Sequence, residues 1–212
     1  GEAKVNNDSL QLSGMSIGDS GPAVRRKLGV AVVPEERLGR GAVPSMSLVD
    51  NSLLTAYGQG MISKGWVGLG KVRDYAGRVV EQFGVRAAGI DSAATSLSGG
   101  NLQKFIIGRE ALQQPKLLVA SHPTWGVDVG SAVAIHEALV KLRDEGAAVL
   151  LISEDLDELF QLCGRMGAIC AGKLSPLVPT SELSIEKLGQ WMAGDFPTAA
   201  TNTTTETKHA VA

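Results

Sequence analysis

The residues best suited to chemistry form one octet, Leu97-Ser98-Gly99-Gly100-Asn101-Leu102-Gln103-Lys104. A hydroxyl residue precedes two glycines, and Asn101 to Gln114 then runs as a helix-forming segment. That order aims backbone N–H groups and a helix N-terminus at one point, which suits an anion. Glycine lets the backbone approach a phosphate closely, where a Cβ would obstruct it. Ser98 can cap the helix or donate a hydrogen bond to the ligand. The same residues also fit an ordinary loop-to-helix start with glycine as the turn residue.

Other chemistry-bearing residues have bland readings that outweigh the sharp ones. His122 follows an apolar strand near Asp128, and a satisfied polar residue is preferred there over a catalytic base. Glu154 beside Asp155 suggests paired carboxylates, yet acids also gather at helix N-termini, and that reading is preferred. Trp125 is read as packing in an interface rather than stacking on a base, and His136 as a structural mid-helix residue rather than a metal ligand. Arg37 and Arg40 stay open between plain solvation and contact with a neighbouring polypeptide or nucleotide. The two cysteines, Cys163 and Cys170, fit neither a zinc knuckle nor a CxxC redox pair, and read as free thiols in a reducing compartment. No metal site is expected.

Composition narrows the function classes. With 212 residues and 44% hydrophobic content the chain can bury one sizeable core, or a core plus a small subdomain. Lys and Arg number 20 against 22 Asp and Glu, so there is no basic surplus for tracking nucleic acid. No apolar run approaches the roughly 20 residues of a membrane helix. Glu2, Lys4 and Asn6-Asn7-Asp8 interrupt any signal-peptide core. The expectation is a soluble chain whose membrane contact goes through a partner.

Around the octet, the pattern predicts alternating strands and helices. Leu10 and Leu12 suggest an edge strand, and Leu28 to Val33 a buried strand ended by Pro34. Glu35 to Gly41 reads as a charged, flexible surface loop, and Ser47 to about Ala111 as helical. Within that stretch Val67, Val72, Tyr75, Ala76, Val79, Val80 and Phe83 form one helical stripe. Lys116 to Ala120 and Ala147 to Ile152 are apolar strands, separated by a Pro-Thr loop and a helix from Ser131 to about Glu145. Met166 to Cys170 and Lys173-Leu174 read as a short antiparallel pair, and Ser184 to Ala193 as a final helix. Beyond Pro197 the chain is Thr-rich and polar, a composition that predicts disorder. Strands alternating with helices imply an α/β fold with a parallel sheet.

This ordered series resembles the ATP-binding cassette (ABC) ATPases, and over residues 9–195 it is similar to the second cassette of fused sugar- and nucleoside-importer ATPases. The resemblance implies a partial P-loop NTPase-like core sheet from residues 1–43 and 114–195, an inserted α-helical signature subdomain at 44–113, and a disordered tail at 196–212. It makes residues 97–104 the signature motif, Val127-Asp128-Val129 the D-loop and Val33-Pro34-Glu35 the Q-loop. The Glu35-Glu36-Arg37-Leu38-Gly39-Arg40-Gly41 loop resembles the importer subgroup specifically.

The departures from that pattern decide what the chain is expected to do. No G-x-x-x-x-G-K-[ST] occurs in it, and the Gly-rich stretch from Gly14 to Gly21 lacks the lysine. Ser121 and His122 stand where the family has the two Walker B acids. Glu154 replaces the switch histidine, and Glu35 the Q-loop glutamine. By the logic of phosphoryl transfer such a chain does not hydrolyse ATP alone. In the family each ATP lies between one Walker A loop and the opposite signature. The resemblance therefore implies that Ser98, Gly99, Gly100 and Asn101 act in trans on ATP and Mg²⁺ held mainly by a first cassette. Asp128 would communicate across the interface, and the helical subdomain would contact transmembrane permease subunits. The implied location is cytoplasmic, peripheral on the inner face of a bacterial plasma membrane. The alternative is a non-catalytic regulatory or interaction module that kept the cassette fold without binding nucleotide. With the Walker A strand missing, the sheet is expected to expose apolar surface and to need a further polypeptide for cover.

Overall fold

The computed structural model describes residues 10–197, so the Thr-rich tail from 198 onward lies outside the described residues. The chain divides into two compact units, Gly1–Asp155 and Leu156–Ala212.

The first unit opens with a two-residue ladder, Gln11–Leu12 (β1) against Met15–Ser16 (β2). Pro22–Lys27 (α1) follows, with proline at its first turn and Arg25, Arg26 and Lys27 at its last, where the helix dipole favours cations. Val30–Val33 (β3) leads to the helices Leu48–Ala56 (α2), Leu69–Gln82 (α3) and Gly99–Ala111 (α4). Between α2 and α3 lies a hairpin of Ile62–Ser63 (β4) and Trp66–Val67 (β5). Leu117–Ser121 (β6), Val129–Asp144 (α5) and Ala148–Ile152 (β7) complete the unit. The central sheet is parallel in the order β3-β6-β7, with Val32 opposite Val119 and Val119 opposite Leu150.

One face of that sheet is core: Ala31, Val33, Leu118 and Ala120 are buried. The other face is open, with Val32 41%, Leu150 52% and Ile152 48% exposed. Parallel sheets normally have both faces covered, and among the described residues nothing covers Val32, Leu150 and Ile152 to that degree. Against the covered side lies α4, whose residues from Phe105 to Ala111 are all buried. A helix buried on every side over this stretch belongs in a core, and it carries Arg109 and Glu110 into it. Its position leaves no room for a larger side chain at Gly108, where a Cβ would come within 2.6 Å of the Phe83 ring. Gly108→Ala gains up to about 1 kcal/mol of helix propensity but overpacks a rigid ring at about 1–3 kcal/mol. The expected result is a lower melting temperature; an increase would show that Phe83 yields freely.

The helical reading of 47–111 needs correction at 62–67. Lys64 and Gly65 have φ of +51° and +82°, the two-residue turn that matches strand twist, so this stretch is a hairpin. Val67 therefore belongs to β5, and the stripe begins within α3, where Val72, Tyr75, Ala76 and Val79 are buried. The 35–41 loop is more ordered than its charge suggests. Gly41 N donates to Glu36 O (3.0 Å) and Ala42 N to Arg37 O, and a Cβ on Gly41 would strike Ile106 at 2.8 Å.

The second unit holds Leu156–Leu162 (α6), four two-residue strands and Ile185–Met192 (α7). Ile169–Cys170 (β9) pairs with Lys173–Leu174 (β10), as the sequence pattern suggests. Arg165–Met166 (β8), however, pairs with Val178–Pro179 (β11), so Met166 is not part of that hairpin. Met166, Ala168, Leu183, Leu188 and Trp191 form the unit's own small core. Cys163 and Cys170 are free, and burial raises the Cys163 thiol above its ordinary value.

Candidate functional site

The octet builds the N-terminus of α4. Ser98 is its N-cap: its Oγ accepts from Asn101 N at 3.4 Å and from Asn101 Nδ2 at 2.9 Å. Asn101 Oδ1 in turn accepts from Arg86 N at 2.8 Å. Both polar ends of Asn101 are thus engaged inside the chain, and the residue orients Ser98. Ser98 and Gly99 are exposed whereas Gly100 is buried, so the cap presents its hydroxyl and first amides outward. Such a terminus is built for an anion.

Gly100 has a different duty. A Cβ there would lie 2.6 Å from Ser131 Oγ and 2.9 Å from Asp128 Oδ2. Glycine at 100 therefore lets the start of α4 close directly onto the start of α5. Asp128 is the N-cap of α5, its Oδ1 accepting from Ser131 N (2.9 Å) and its Oδ2 from Ser131 Oγ (2.7 Å). Those two bonds, helped by Lys104, hold its carboxyl below the ordinary carboxylate range. The structure thus brings together Ser98, Gly99, Gly100, Asn101 and Asp128. Ser131, which was not singled out in the sequence, is the hinge of the group; its signal is the Asp-x-x-Ser spacing of an N-cap.

The residues that the resemblance sets at catalytic positions of the family, Ser121, His122, Glu154 and Glu35, lie elsewhere in the unit. Ser121 ends β6 opposite Ile152, and His122 N donates to Ile152 O at 2.8 Å. His122 has φ of +46°, and its ring lies 6.0 Å from Trp125, which is 66% exposed. Glu154 follows β7 and is exposed, as is Glu35 after β3. These residues sit past the carboxyl ends of three parallel strands, where open α/β sheets place ligands. Their chemistry does not fit Mg²⁺. No acid stands at 121 or 122, and among the described residues no group of three or more His, Cys, Asp and Glu could hold a metal. ATP fits in half: the glycine cradle and hydroxyl of the octet suit a terminal phosphate, while the chain carries no loop of the G-x-x-x-x-G-K-[ST] type for the others.

No family model matches the chain. It is 38% identical over 195 residues to the nucleoside import ATP-binding protein NupA of Lactococcus lactis, covering 92% of this chain and 38% of that protein. It is 34% identical over 195 residues to the guanosine import ATP-binding protein NupO of Bacillus subtilis, covering 92% and 38%. With the ribose import ATP-binding protein RbsA 1 of Rubrobacter xylanophilus the identity is 32% over 184 residues, covering 87% and 37%. The chain spans a little over a third of the length of these curated relatives. In fold it is similar to a dimeric ATP-binding cassette in a post-hydrolysis state bound to ADP and Pi. That match has a TM-score of 0.67 and 17% identity, covering 80% of this chain and 72% of that one. The ATP-binding subunit of an ABC transporter gives the same TM-score, 0.67, at 18% identity, covering 86% and 75%. A capped α4 on a three-stranded parallel sheet, the shared cassette fold and the importer relatives together show that this chain is homologous to part of the ATP-binding proteins of sugar and nucleoside ABC importers.

Proposed function

We propose that the chain works as an ATP-binding component of an importer for sugars or nucleosides, completing an ATP site whose other half a first cassette supplies. One observation carries this reading. The α4 N-terminus presents Ser98 and Gly99 outward and is locked to Asp128 through Gly100, in a chain whose Walker positions carry Ser121 and His122. In this role Ser98 Oγ and the first α4 amides hold the terminal phosphate, and Asn101 sets the hydroxyl's direction. Asp128 links the signature to the start of α5, so displacement of one moves the other. Mg²⁺ belongs to the first cassette's half of the site. The helical segment 44–113 is the surface for transmembrane permease subunits. The proposed location is peripheral, on the inner face of the membrane; no helix of the described residues is long and apolar enough to cross it.

The test uses Cys substituted at Ser98 in the complete ATPase, with an ATP analogue bearing a thiol-reactive group on its terminal phosphate. Labelling of position 98 is expected, and it should depend on an intact Walker A lysine in the first cassette. Labelling that ignores that lysine, or none at all, overturns the proposal.

A further inference from the structure

We infer that Arg37 is a phosphate-contacting residue of this same half-site, gripping the anion that Ser98 and the α4 N-terminus bind; the inference rests on the signature reading above. Arg37 comes from the loop after β3, far from the octet in sequence. Its Nη1 stands 2.8 Å from the point where a Cβ on Gly99 would sit, and its Nη2 3.8 Å from the same point on Gly126. The guanidinium therefore lies against both the signature and the loop that leads into Asp128. Only glycine at 99 tolerates that approach without displacing it.

The arrangement is electrostatically unfinished. A helix N-terminus carries about half a positive charge, so a cation beside it is repelled rather than stabilised. Among the described residues Arg37 makes no ion pair or side-chain hydrogen bond that would offset this. Its neighbour Arg40, by contrast, pairs with Glu36 at 3.3 Å. Partial burial also disfavours the charged guanidinium. The backbone bonds that close the 36–42 turn keep Arg37 from simply swinging away as one end of a loose loop.

A second, independent feature points the same way. Gln103 lies one helical turn after Gly99, is 1% exposed, and neither its Nε2 nor its Oε1 has a hydrogen-bond partner among the described residues. Helical side chains lean back over the preceding turn, and the turn before Gln103 is the one that starts with Gly99 and Gly100. Buried polar groups are rarely left unmatched, and where they are, an ion or water is commonly missing. An anion with its hydration at the α4 N-terminus neutralises Arg37 and supplies the missing bonds around it. The ligand chemistry is a terminal phosphoryl group with two or more free oxygens, which a guanidinium fork meets in bidentate fashion and a lysine only as a point charge.

The experiment follows the amide resonances of Gly99 and Gly100 in the ¹⁵N-labelled chain while inorganic triphosphate, and separately Mg·ATP, is added. Saturable shifts are expected with the wild-type chain. Arg37→Gln should weaken triphosphate binding about tenfold, the loss of one charge-assisted contact, and Arg37→Lys by less. Arg40→Gln should change nothing. Equal affinity of Arg37→Gln and wild type overturns the role of Arg37 and leaves the signature reading standing. Absence of any saturable shift at Gly99 and Gly100 in the wild type overturns the anion site inferred here, while the labelling of position 98 in the complete ATPase decides the signature reading.

Discussion

Ser98→Arg is expected, on the function proposed above, to cut ATP-driven uptake by a hundredfold or more in the complete protein reconstituted with the membrane partner which that function requires. Three losses combine at that position. The cap bonds from Asn101 N and Nδ2 disappear, and removing a serine N-cap costs about 1 kcal/mol. The outward hydroxyl donor goes with them, and a single donor aimed at developing charge is commonly worth a factor of about 10²–10³ in rate. Finally, a second guanidinium enters the space that Arg37 already borders, occupying the volume of the phosphate itself. The cap term is minor, so the variant should fold; a melting temperature within a few degrees of wild type separates lost catalysis from lost structure. Ser98→Ala removes only the first two contributions and should fall between. Uptake at the wild-type rate in Ser98→Arg would show that the signature does not touch nucleotide.

Legibility in the sequence followed the range of the interactions. The octet could be read because its signal is local: a hydroxyl, two glycines and a helix former in succession predict a capped N-terminus, and Ser98 caps α4. Asp128 caps α5 on an equally local signal, the Asp-x-x-Ser spacing, which the reading of this residue as part of a D-loop passed over. The strands of the parallel sheet could be read because each is a short apolar run between turn residues. What escaped the sequence depends on glycine's missing side chain. Nothing in the residue types says that Gly100 faces Ser131 or that Gly99 faces Arg37, since a glycine has no chemistry with which to advertise a neighbour. The 62–67 hairpin escaped because its strands are two residues long and Lys64 is an unusual residue for a left-handed turn position. The tertiary role of Arg109 and Glu110 was hidden as well. Two adjacent charges after an apolar run look like the solvated end of a helix, yet both are buried.

That buried pair sets the second large effect: Glu110→Ala is expected to cost about 3–5 kcal/mol of folding stability, the usual penalty for stranding a buried charge. Glu110 Oε1 accepts from Arg109 Nε at 3.0 Å, and Oε2 accepts from Arg26 Nη1 at 2.8 Å and from Gln113 Nε2 at 3.1 Å. Arg109 donates onward, from Nη1 to Asn51 O (3.1 Å) and from Nη2 to Gly41 O (2.8 Å). One carboxylate thus fastens α4 to α1, while its partner guanidinium fastens α4 to α2 and to the loop that carries Arg37. Burial pushes the Arg109 guanidinium down from its ordinary value, and Glu110 opposes that push. Without the carboxylate the opposition is gone, and a charged group 2% exposed must remain desolvated or drag water into the core. Urea unfolding of the two chains measures the difference; a loss below about 1 kcal/mol would mean that the pair relaxes into solvent at no great cost. Arg109→Met together with Glu110→Leu removes both charges and should regain part of the loss, as buried pairs often do when replaced by apolar groups. The recovery stays partial, because Gly41 O and Asn51 O then lose their donors, at about 1–3 kcal/mol for each buried acceptor left unmet. It also separates stability from function: the double variant should fold, while the 36–42 turn, no longer held to α4, should present Arg37 less firmly to the signature.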